Sequence, residues 1–232
     1  AVETIEKAGV TFKLSVNVGD VGKGVTLAAL QKEFDSLFLA TGAWEQPSIG
    51  LEGEALTQSG LEFLTKVNRG SREVPGKKVV VIGGGNVAVD VAITAKRLGA
   101  EEVTIVYRRT REEMPALKSE IAQALEEGVK LVPSWAPAKV LQSQGKVTGI
   151  EVVRSISVFG DRGRVAPRLD DSERKSIEAD QIIMAVGQTA DLFFLNGTSQ
   201  PKVEGSLLVV NGETQETNIP GLFAGGEVTS GP

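Results

Sequence analysis

The sequence contains no cysteine and no histidine. The absence of cysteine excludes, within these 232 residues, a disulfide framework, a thiolate-ligated metal or iron–sulfur cluster, and a redox-active dithiol. The absence of histidine excludes His-based acid–base catalysis and leaves every serine without the partner that a Ser–His–Asp triad requires. We therefore predict no metal site in this chain.

Long basic runs and long apolar runs are absent as well. The net charge is −5, which disfavours nucleic acid or an anionic membrane as a binding partner. No apolar stretch approaches the roughly 20 residues that span a bilayer, and no signal-peptide pattern is visible. We expect a cytoplasmic protein that binds neither nucleic acid nor membrane. A hydrophobic content of 41% and 27 glycines suit a loop-rich α/β protein of one large or two small domains.

Helices and strands alternate in the middle of the chain, and strands of antiparallel type follow. The central pattern predicts strands at 78–82, 103–107 and 129–132 and a helix at 86–98. Residues 112–116 are predicted to lead into a further helix that ends at Glu127, with Pro115 near its first turn. Outside it, the sequence predicts a strand at 10–16, a helix at 27–34, strands at 36–40, 139–142, 147–158 and 181–186, and a polar hairpin segment at 161–176. This order indicates an α/β, Rossmann-like fold with a parallel sheet and an antiparallel crossover.

A glycine turn joins the strand at 78–82 to the helix that follows it. Gly83 allows a tight turn, Gly85 lets the backbone approach a pyrophosphate, and Ala88 allows close packing of helix on strand. Backbone amides at the positive end of the helix would face the phosphates. The predicted phosphate-binding residues are Gly83, Gly84, Gly85, Asn86, Val87 and Ala88. The alternative is a purely structural glycine turn.

Two polar residues of this helix have two interpretations. Asn86 is a candidate N-cap residue, and Asp90 lies in the first turns, where an anion is favourable. Both residues are also candidate ligand contacts, and the sequence leaves the choice open.

The end of the next strand indicates which coenzyme is bound. An acid about 20 residues beyond the glycines would bind the ribose 2′-hydroxyl of NAD. Here the chain has Tyr107, Arg108, Arg109 and Arg111 with no acid among them. Guanidinium groups suit a 2′-phosphate, so we predict NADP(H) binding by these four residues. The alternative is a solvated strand end.

Three predicted strands end in similar small residues. The ends are 40–42, 185–187 and 224–226, and ligands bind at the carboxyl ends of strands in such sheets. Candidate cofactor contacts are therefore Thr41, Gly42, Gly225 and Gly226, together with Ala185, Gly187 and Gln188, which we expect near the nicotinamide.

The central segment resembles a known family. VIGGGNVAVD followed by VTIVYRRTREEMP is similar to the NADPH-binding domain of the glutamate synthase small (β) subunit family. That family includes related NADPH-dependent flavoprotein electron-transfer subunits and the amino-terminal half of dihydropyrimidine dehydrogenase. FDSLFLATGA, GLEGE, IIMAVGQTAD and IPGLFAGGEVTSGP extend the resemblance over the whole chain.

The resemblance implies an FAD-binding domain interrupted by an NADP(H)-binding domain. The inserted domain would be 55–192, and 1–54 with 193–232 would be parts of a discontinuous FAD domain of the two-dinucleotide-binding-domain flavoprotein type. NADPH would pass a hydride to FAD, and the electrons would continue to iron–sulfur clusters or FMN in another subunit or domain. Glu227 stands where the family usually has Asp beside the flavin. The cofactors carry this chemistry, so we name no catalytic residue.

The sequence departs from the family at its beginning. It starts after the point where the family's FAD glycine fingerprint occurs. We therefore expect a fragment of a larger subunit that by itself binds FAD weakly or not at all. The alternative to an enzyme part is a non-catalytic NADP(H)-binding module that docks to a partner electron-transfer subunit.

Overall fold

The chain forms two structural units. One comprises Ala1–Glu45 with Gln188–Pro232, and the other comprises Gln46–Gly187. The computed structural model describes residues 2–19, 24–159, 165–195 and 200–231, except for the side chains of 157–159 and 165–167.

The described strands and helices are as follows. The strands are β1 (Leu37–Leu39), β2 (Gln58–Ser59), β3 (Lys78–Ile82), β4 (Glu102–Tyr107), β5 (Lys130–Pro133), β6 (Trp135–Ser143), β7 (Lys146–Phe159), β8 (Val165–Glu178), β9 (Gln181–Met184), β10 (Val203–Glu204), β11 (Leu207–Leu208) and β12 (Leu222–Ala224). The helices are α1 (Val2–Lys7), α2 (Leu27–Glu33), α3 (Gly60–Asn68), α4 (Asn86–Arg97), α5 (Lys118–Glu126) and α6 (Glu227–Ser230), with 3₁₀ turns at Glu54–Leu56 and Phe193–Leu195.

A five-stranded parallel sheet forms the middle of the larger unit. Its strand order is β2-β9-β3-β4-β5, so β3 lies at the centre. Both faces of this sheet are covered, which explains why β3 and β4 read as continuous apolar runs rather than as alternating ones. Val79, Val81 and Val103 face a core shared with the helices α3, α4 and α5. The α/β prediction with a parallel sheet is confirmed.

An antiparallel sheet of β6, β7 and β8 covers the other face. Val80, Ile82 and Val106 contribute from the parallel sheet to a second core, and Ile150 and Val152 contribute from β7. The predicted antiparallel crossover is thus confirmed. The tip of the predicted hairpin, residues 160–164, lies outside the described residues.

The start of α5 lies slightly later than predicted. The prediction placed Pro115 near the first turn, whereas the helix begins at Lys118. The preceding segment instead returns to the glycine turn, where the N–H of Ala116 donates to the carbonyl of Gly84 at 3.2 Å. This tertiary hydrogen bond holds the segment away from the helical path that its sequence favours.

The described part of the smaller unit contains two sheets of two strands each. β1 pairs with β12 in parallel, and β10 pairs with β11 antiparallel. Leu27 of α2 packs with Leu39, Leu208, Leu222 and other apolar residues in a separate core.

The predicted strand at 10–16 is wrong. These residues form no strand, and Leu14 is 80% exposed. Apolar residues alternate there, but a strand also needs a neighbour for its backbone hydrogen bonds, and no described strand pairs with this segment.

No helix among the described residues has the length and apolar character needed to cross a membrane. In the same part of the chain, no group of three or more Asp or Glu side chains is arranged to hold a metal ion.

The core of the parallel sheet yields a stability prediction. Ile183 of β9 is 0% exposed and lies between β2 and β3, so Ile183→Ala should lower the free energy of unfolding of this unit by about 2–5 kcal/mol. Urea denaturation followed by Trp135 fluorescence, with Trp44 replaced by Phe, measures the change. Ile156→Ala, at a side chain that is 47% exposed, should change stability by less than about 0.5 kcal/mol. Equal effects of the two substitutions would contradict the packing described here.

Candidate coenzyme site

The ends of three parallel strands meet at Gly83. Its N–H donates to the carbonyl of Val106 in β4 at 3.0 Å, and the carbonyl of Ile82 accepts from the N–H of Ala185 at 2.7 Å. Gly83 has a φ of +147°, and a Cβ on it would overlap the carbonyl oxygen of Ala185. Glycine is therefore required at this position both by conformation and by space.

The next two glycines differ in what surrounds them. A Cβ on Gly84 would overlap the ring of Tyr107, whereas a Cβ on Gly85 would meet nothing within 4 Å. Gly85 is the N-cap residue of α4, and no side chain caps the helix. The first amides of α4 are therefore available to a ligand at the positive end of the helix, beside open space.

Asn86 does not cap α4, so the N-cap prediction for it is wrong. It is the first helical residue, and its side-chain oxygen accepts the N–H of Leu117 at 3.0 Å. Asn86 thus anchors the segment before α5 to the glycine turn. Asp90 is exposed on α4, and ligand contact by either residue stays a prediction.

Hydrogen bonds hold the residues that follow β4. The hydroxyl of the buried Tyr107 donates to the carbonyl of Glu113 at 3.0 Å, and the N–H of Thr110 donates to the carboxylate of Glu113 at 3.0 Å. The N–H of Ser134 donates to the carbonyl of Arg109 at 2.7 Å. The backbone that carries the arginines is therefore tied both to the segment after it and to the start of β6.

A cleft of about 500 Å³ opens at this edge of the parallel sheet. Gly83, Tyr107, Arg108 and Arg109 line it together, so the structure joins the glycine turn and the arginines in one site. None of its described lining residues is acidic. Arg108 is exposed, and the half-buried Arg109 has a buried Nε with no hydrogen-bond partner among the described residues. An anionic ligand oxygen would satisfy this donor, so the residues fit a phosphorylated ligand.

Arg111 is exposed and does not line this cleft. The structure therefore does not bring it together with Arg108 and Arg109. Its contact with a 2′-phosphate stays a prediction.

Sequence reasoning missed the apolar walls of the cleft. Besides Ile82, Val106 and Val186, these are Ile49, Pro115, Ala136, Pro137 and Leu169. They come from separate segments and share no motif, so no local pattern marks them. One signal was present at Leu169, which is the one large apolar residue in the polar stretch 168–176.

The Glu54 carboxylate orders the loop that carries Ile49. It accepts the hydroxyl of Ser48 at 2.7 Å and the N–H groups of Ile49 and Leu51 at 3.2 and 3.1 Å. Burial acts to raise the pKa of Glu54, but these hydrogen bonds favour the charged form more strongly and the pKa is lowered. The loop is thus held by an ionised carboxylate at neutral pH.

The smaller unit gathers its own predicted residues at the carboxyl ends of β1 and β12. The N–H of Gly225 donates to the carbonyl of Leu39 at 3.1 Å. The Glu227 carboxylate lies 3.6 Å from where a Cβ on Gly42 would be, and Gly226, with a φ of +79°, caps α6. Four of the residues expected beside a flavin therefore lie together.

The remaining predicted residues lie at two other places. Thr41 is exposed and borders a largely apolar groove of about 700 Å³ in the smaller unit. In the larger unit Ala185 touches the glycine turn, whereas Gly187 is exposed with a φ of +117°. Gln188 begins the second part of the smaller unit. Their roles stay predictions.

A parallel sheet with a glycine turn before α4, and a cleft with arginines at its carboxyl edge, defines a dinucleotide-binding α/β protein. A profile of the pyridine nucleotide-disulphide oxidoreductase family matches residues 2–232. The chain belongs to this family.

Two curated relatives agree with the resemblance seen in the sequence. The chain is 36% identical over 236 residues to the NADP(+)-dependent formate dehydrogenase subunit beta of Moorella thermoacetica, covering 99% of this chain and 33% of the relative. It is 32% identical over 250 residues to the glutamate synthase [NADPH] small chain of Azospirillum brasilense, covering 99% of this chain and 50% of the relative. The resemblance to the glutamate synthase small subunit is confirmed. The chain spans about a third to a half of the length of these two relatives.

A solved structure shares the fold. FprA of Mycobacterium tuberculosis in complex with NADPH has a TM-score of 0.73 and 18% identity, covering 90% of this chain and 61% of that protein. At this identity the likeness confirms the fold class and nothing further.

Two glycines of the turn should respond differently to the same change. Gly85→Ala places a Cβ in open space at a φ of −87°, so stability should change by less than about 1 kcal/mol. That Cβ would occupy the approach to a diphosphate, so NADPH affinity should fall about tenfold or more. Gly83→Ala should instead destabilise the protein by about 2–5 kcal/mol, because it adds overlap and backbone strain.

Isothermal titration with NADPH and thermal unfolding measure the two properties for each variant. Unchanged NADPH affinity in a well-folded Gly85→Ala protein would show that the turn does not hold the diphosphate.

Proposed function

We propose that this chain is the NADP(H)-binding part of a flavoprotein oxidoreductase in which a hydride passes from NADPH to FAD. The observation that carries the proposal is the cleft at the carboxyl edge of the parallel sheet. The uncapped helix amides at Gly85 and the guanidinium groups of Arg108 and Arg109 lie at this edge, and none of the described lining residues is acidic. Membership of the pyridine nucleotide-disulphide oxidoreductase family supports it.

The chain's residues bind and orient the coenzyme. The backbone of residues 83–88 holds the pyrophosphate at the start of α4, and Arg108 and Arg109 bind the 2′-phosphate. Tyr107 supports Gly84 through its ring and is itself fixed by Glu113. This arrangement selects NADP(H) over NAD(H) by charge, since a carboxylate that would bind an unmodified ribose is missing from the described lining.

The nicotinamide end and the flavin are assigned to the other strand ends. Ala185, Gly187 and Gln188 contact the nicotinamide, and Thr41, Gly42, Gly225, Gly226 and Glu227 contact the flavin. When bound, NADPH supplies the hydride and FAD accepts it. No side chain of this chain needs to take up or release a proton for that transfer, so positioning is the protein's contribution.

The domain division follows the same proposal. Residues 55–192 form the NADP(H)-binding domain, and 1–54 with 193–232 belong to an FAD-binding domain. The two structural units meet in sequence after Glu45 and after Gly187, and this division supports a discontinuous arrangement of the same kind. The electrons leave to another subunit or domain carrying iron–sulfur clusters or FMN. The names of the relatives, a subunit beta and a small chain, support the existence of a partner subunit. A cytoplasmic location stays a prediction from the sequence.

Coenzyme selection tests the role of the arginines. The double variant Arg108→Ala/Arg109→Ala should bind NADPH about tenfold or more weakly, because a charge-assisted hydrogen bond contributes about 1.5–3 kcal/mol before discounting for exposure. NADH affinity should not change. The control is Arg97→Ala, which removes one guanidinium group from the far end of α4, where Arg97 pairs with Glu127.

Titration of NADPH and NADH against all three proteins provides the measurement. If the unaltered chain binds both coenzymes equally well, the arginines do not recognise a 2′-phosphate.

A dye-reduction assay tests the reaction itself. FAD binding by this chain alone is expected to be weak, so the assay uses an artificial electron acceptor and FAD at concentrations high enough to offset it. The 232-residue chain should then oxidise NADPH at a rate that rises with FAD concentration, since the flavin is the hydride acceptor. The Gly85→Ala variant, in which NADPH affinity should be lowered, is the control and should turn over more slowly at low NADPH concentration. NADPH binding without any FAD-dependent turnover would instead favour a non-catalytic NADP(H)-binding module.

A further inference from the structure

Leu169 is an apolar residue in a polar strand, and it lies in the wall of the coenzyme cleft. It is 48% exposed, and its neighbours in β8 from Arg168 to Ser176 are polar or charged. An apolar side chain left half exposed beside a ligand cleft is stabilised when a ligand covers it. We therefore expect an apolar part of the ligand to lie against Leu169.

The hairpin of β7 and β8 holds Leu169 at the arginine end of the cleft. Leu169 pairs with Ser155 of β7, and the N–H of Ser155 donates to the carbonyl of Ser134 at 2.9 Å. The N–H of Ser134 in turn donates to the carbonyl of Arg109 at 2.7 Å. Backbone hydrogen bonds thus connect Ser155, the partner of Leu169 in β7, through Ser134 to Arg109 at the end of β4.

A bulge in β8 determines which of its residues pairs with Ser155 of β7. Arg154 pairs with Asp170, but the preceding residue Val153 pairs with Arg174, so residues 171–173 are looped out of the ladder. The Arg174 guanidinium bonds to the carboxylates of Glu151 and Asp171 at 2.6 and 2.7 Å, which ties the looped-out residues back to β7. Bulges re-aim side chains in this way. An unbroken register from Val153 and Arg174 would bring Ser172 opposite Ser155, and the bulge brings Leu169 there instead.

The apolar walls and the arginines together specify the chemistry of the ligand. Pro115, Pro137 and Leu169 line the same cleft as Arg108 and Arg109. A ligand that contacts both the apolar residues and the arginines carries a flat, weakly polar ring next to a phosphate. In a 2′-phosphorylated adenosine these two groups are attached to the same ribose.

We propose that Leu169 packs against the adenine base of the coenzyme and thereby positions its 2′-phosphate against Arg108 and Arg109. This inference rests on the proposed function, and it adds an adenine-contact residue from a different sheet. The adenosine end is then held from two sides, by charge from the parallel sheet and by apolar contact from the hairpin.

Binding of three ligands to the full chain tests the proposal. The ligands are NADPH, 2′,5′-ADP and inorganic pyrophosphate, of which only pyrophosphate lacks adenine. Leu169→Ala should weaken NADPH and 2′,5′-ADP by a similar factor of about five to ten, and should leave pyrophosphate binding unchanged. Leu169→Met, which keeps the apolar volume, should restore most of the affinity.

The matched control is Ile156→Ala. Ile156 belongs to the same hairpin and is 47% exposed, but it does not line the cleft. It should leave all three affinities unchanged. A general disturbance of the hairpin would instead weaken pyrophosphate binding to the Leu169→Ala protein, or 2′,5′-ADP binding to the Ile156→Ala protein. Either result would overturn the proposal.

Different results would refute the adenine contact of Leu169 and the proposed function. If the unaltered chain binds 2′,5′-ADP and Leu169→Ala binds it equally well, the role of Leu169 is refuted and the proposed function stands. If the unaltered chain does not bind 2′,5′-ADP, the proposed function fails and the adenine contact fails with it.

Discussion

The close approach of three strand ends at Gly83 is the constraint on which the coenzyme site depends. The absence of a Cβ there lets the carbonyl of Ala185 lie against the turn, while the amide of Gly83 remains bonded to Val106. The chain can then leave β3 and enter α4 directly, with the first amides of the helix facing outward. A larger residue would push β9 away from β3 and would move the helix with it. The geometry of the proposed phosphate site is therefore a consequence of sheet packing as much as of the helix dipole.

The cleft is built from two sheets with different tasks. The parallel sheet contributes the glycine turn and the arginines, all at the carboxyl ends of its strands. The antiparallel sheet contributes Ala136, Pro137 and Leu169, and none of its described residues that line the cleft is acidic. Because the same antiparallel sheet also buries Val80, Ile82 and Val106, the apolar wall is attached to the hydrophobic core. Coenzyme binding and core packing are thus coupled through a single layer of β-structure.

The errors of sequence interpretation have a common physical origin. The strand expected at 10–16 has the right alternation but no described neighbour to pair with. The helix expected to have Pro115 near its first turn begins only at Lys118, after the hydrogen bond of Ala116 to Gly84. Asn86 has the residue type of an N-cap, yet it bonds to Leu117 across the turn. Each error concerns a local preference that was overruled by a partner distant in sequence. The predictions that succeeded, β3, α4 and β4, concern long apolar segments whose burial leaves little choice.

The sequence alone determined the coenzyme motif, since the glycine spacing and the arginines after β4 are encoded within 30 residues of each other. It also determined the α/β class and the family, because apolar periodicity and short motifs are local properties of the chain. Only the tertiary structure decided which residues surround the cleft. Ile49, Pro115, Pro137 and Leu169 come from four separate segments, and a bulge in β8 selects the last of them. Contacts between distant segments depend on register and packing, which no local pattern specifies.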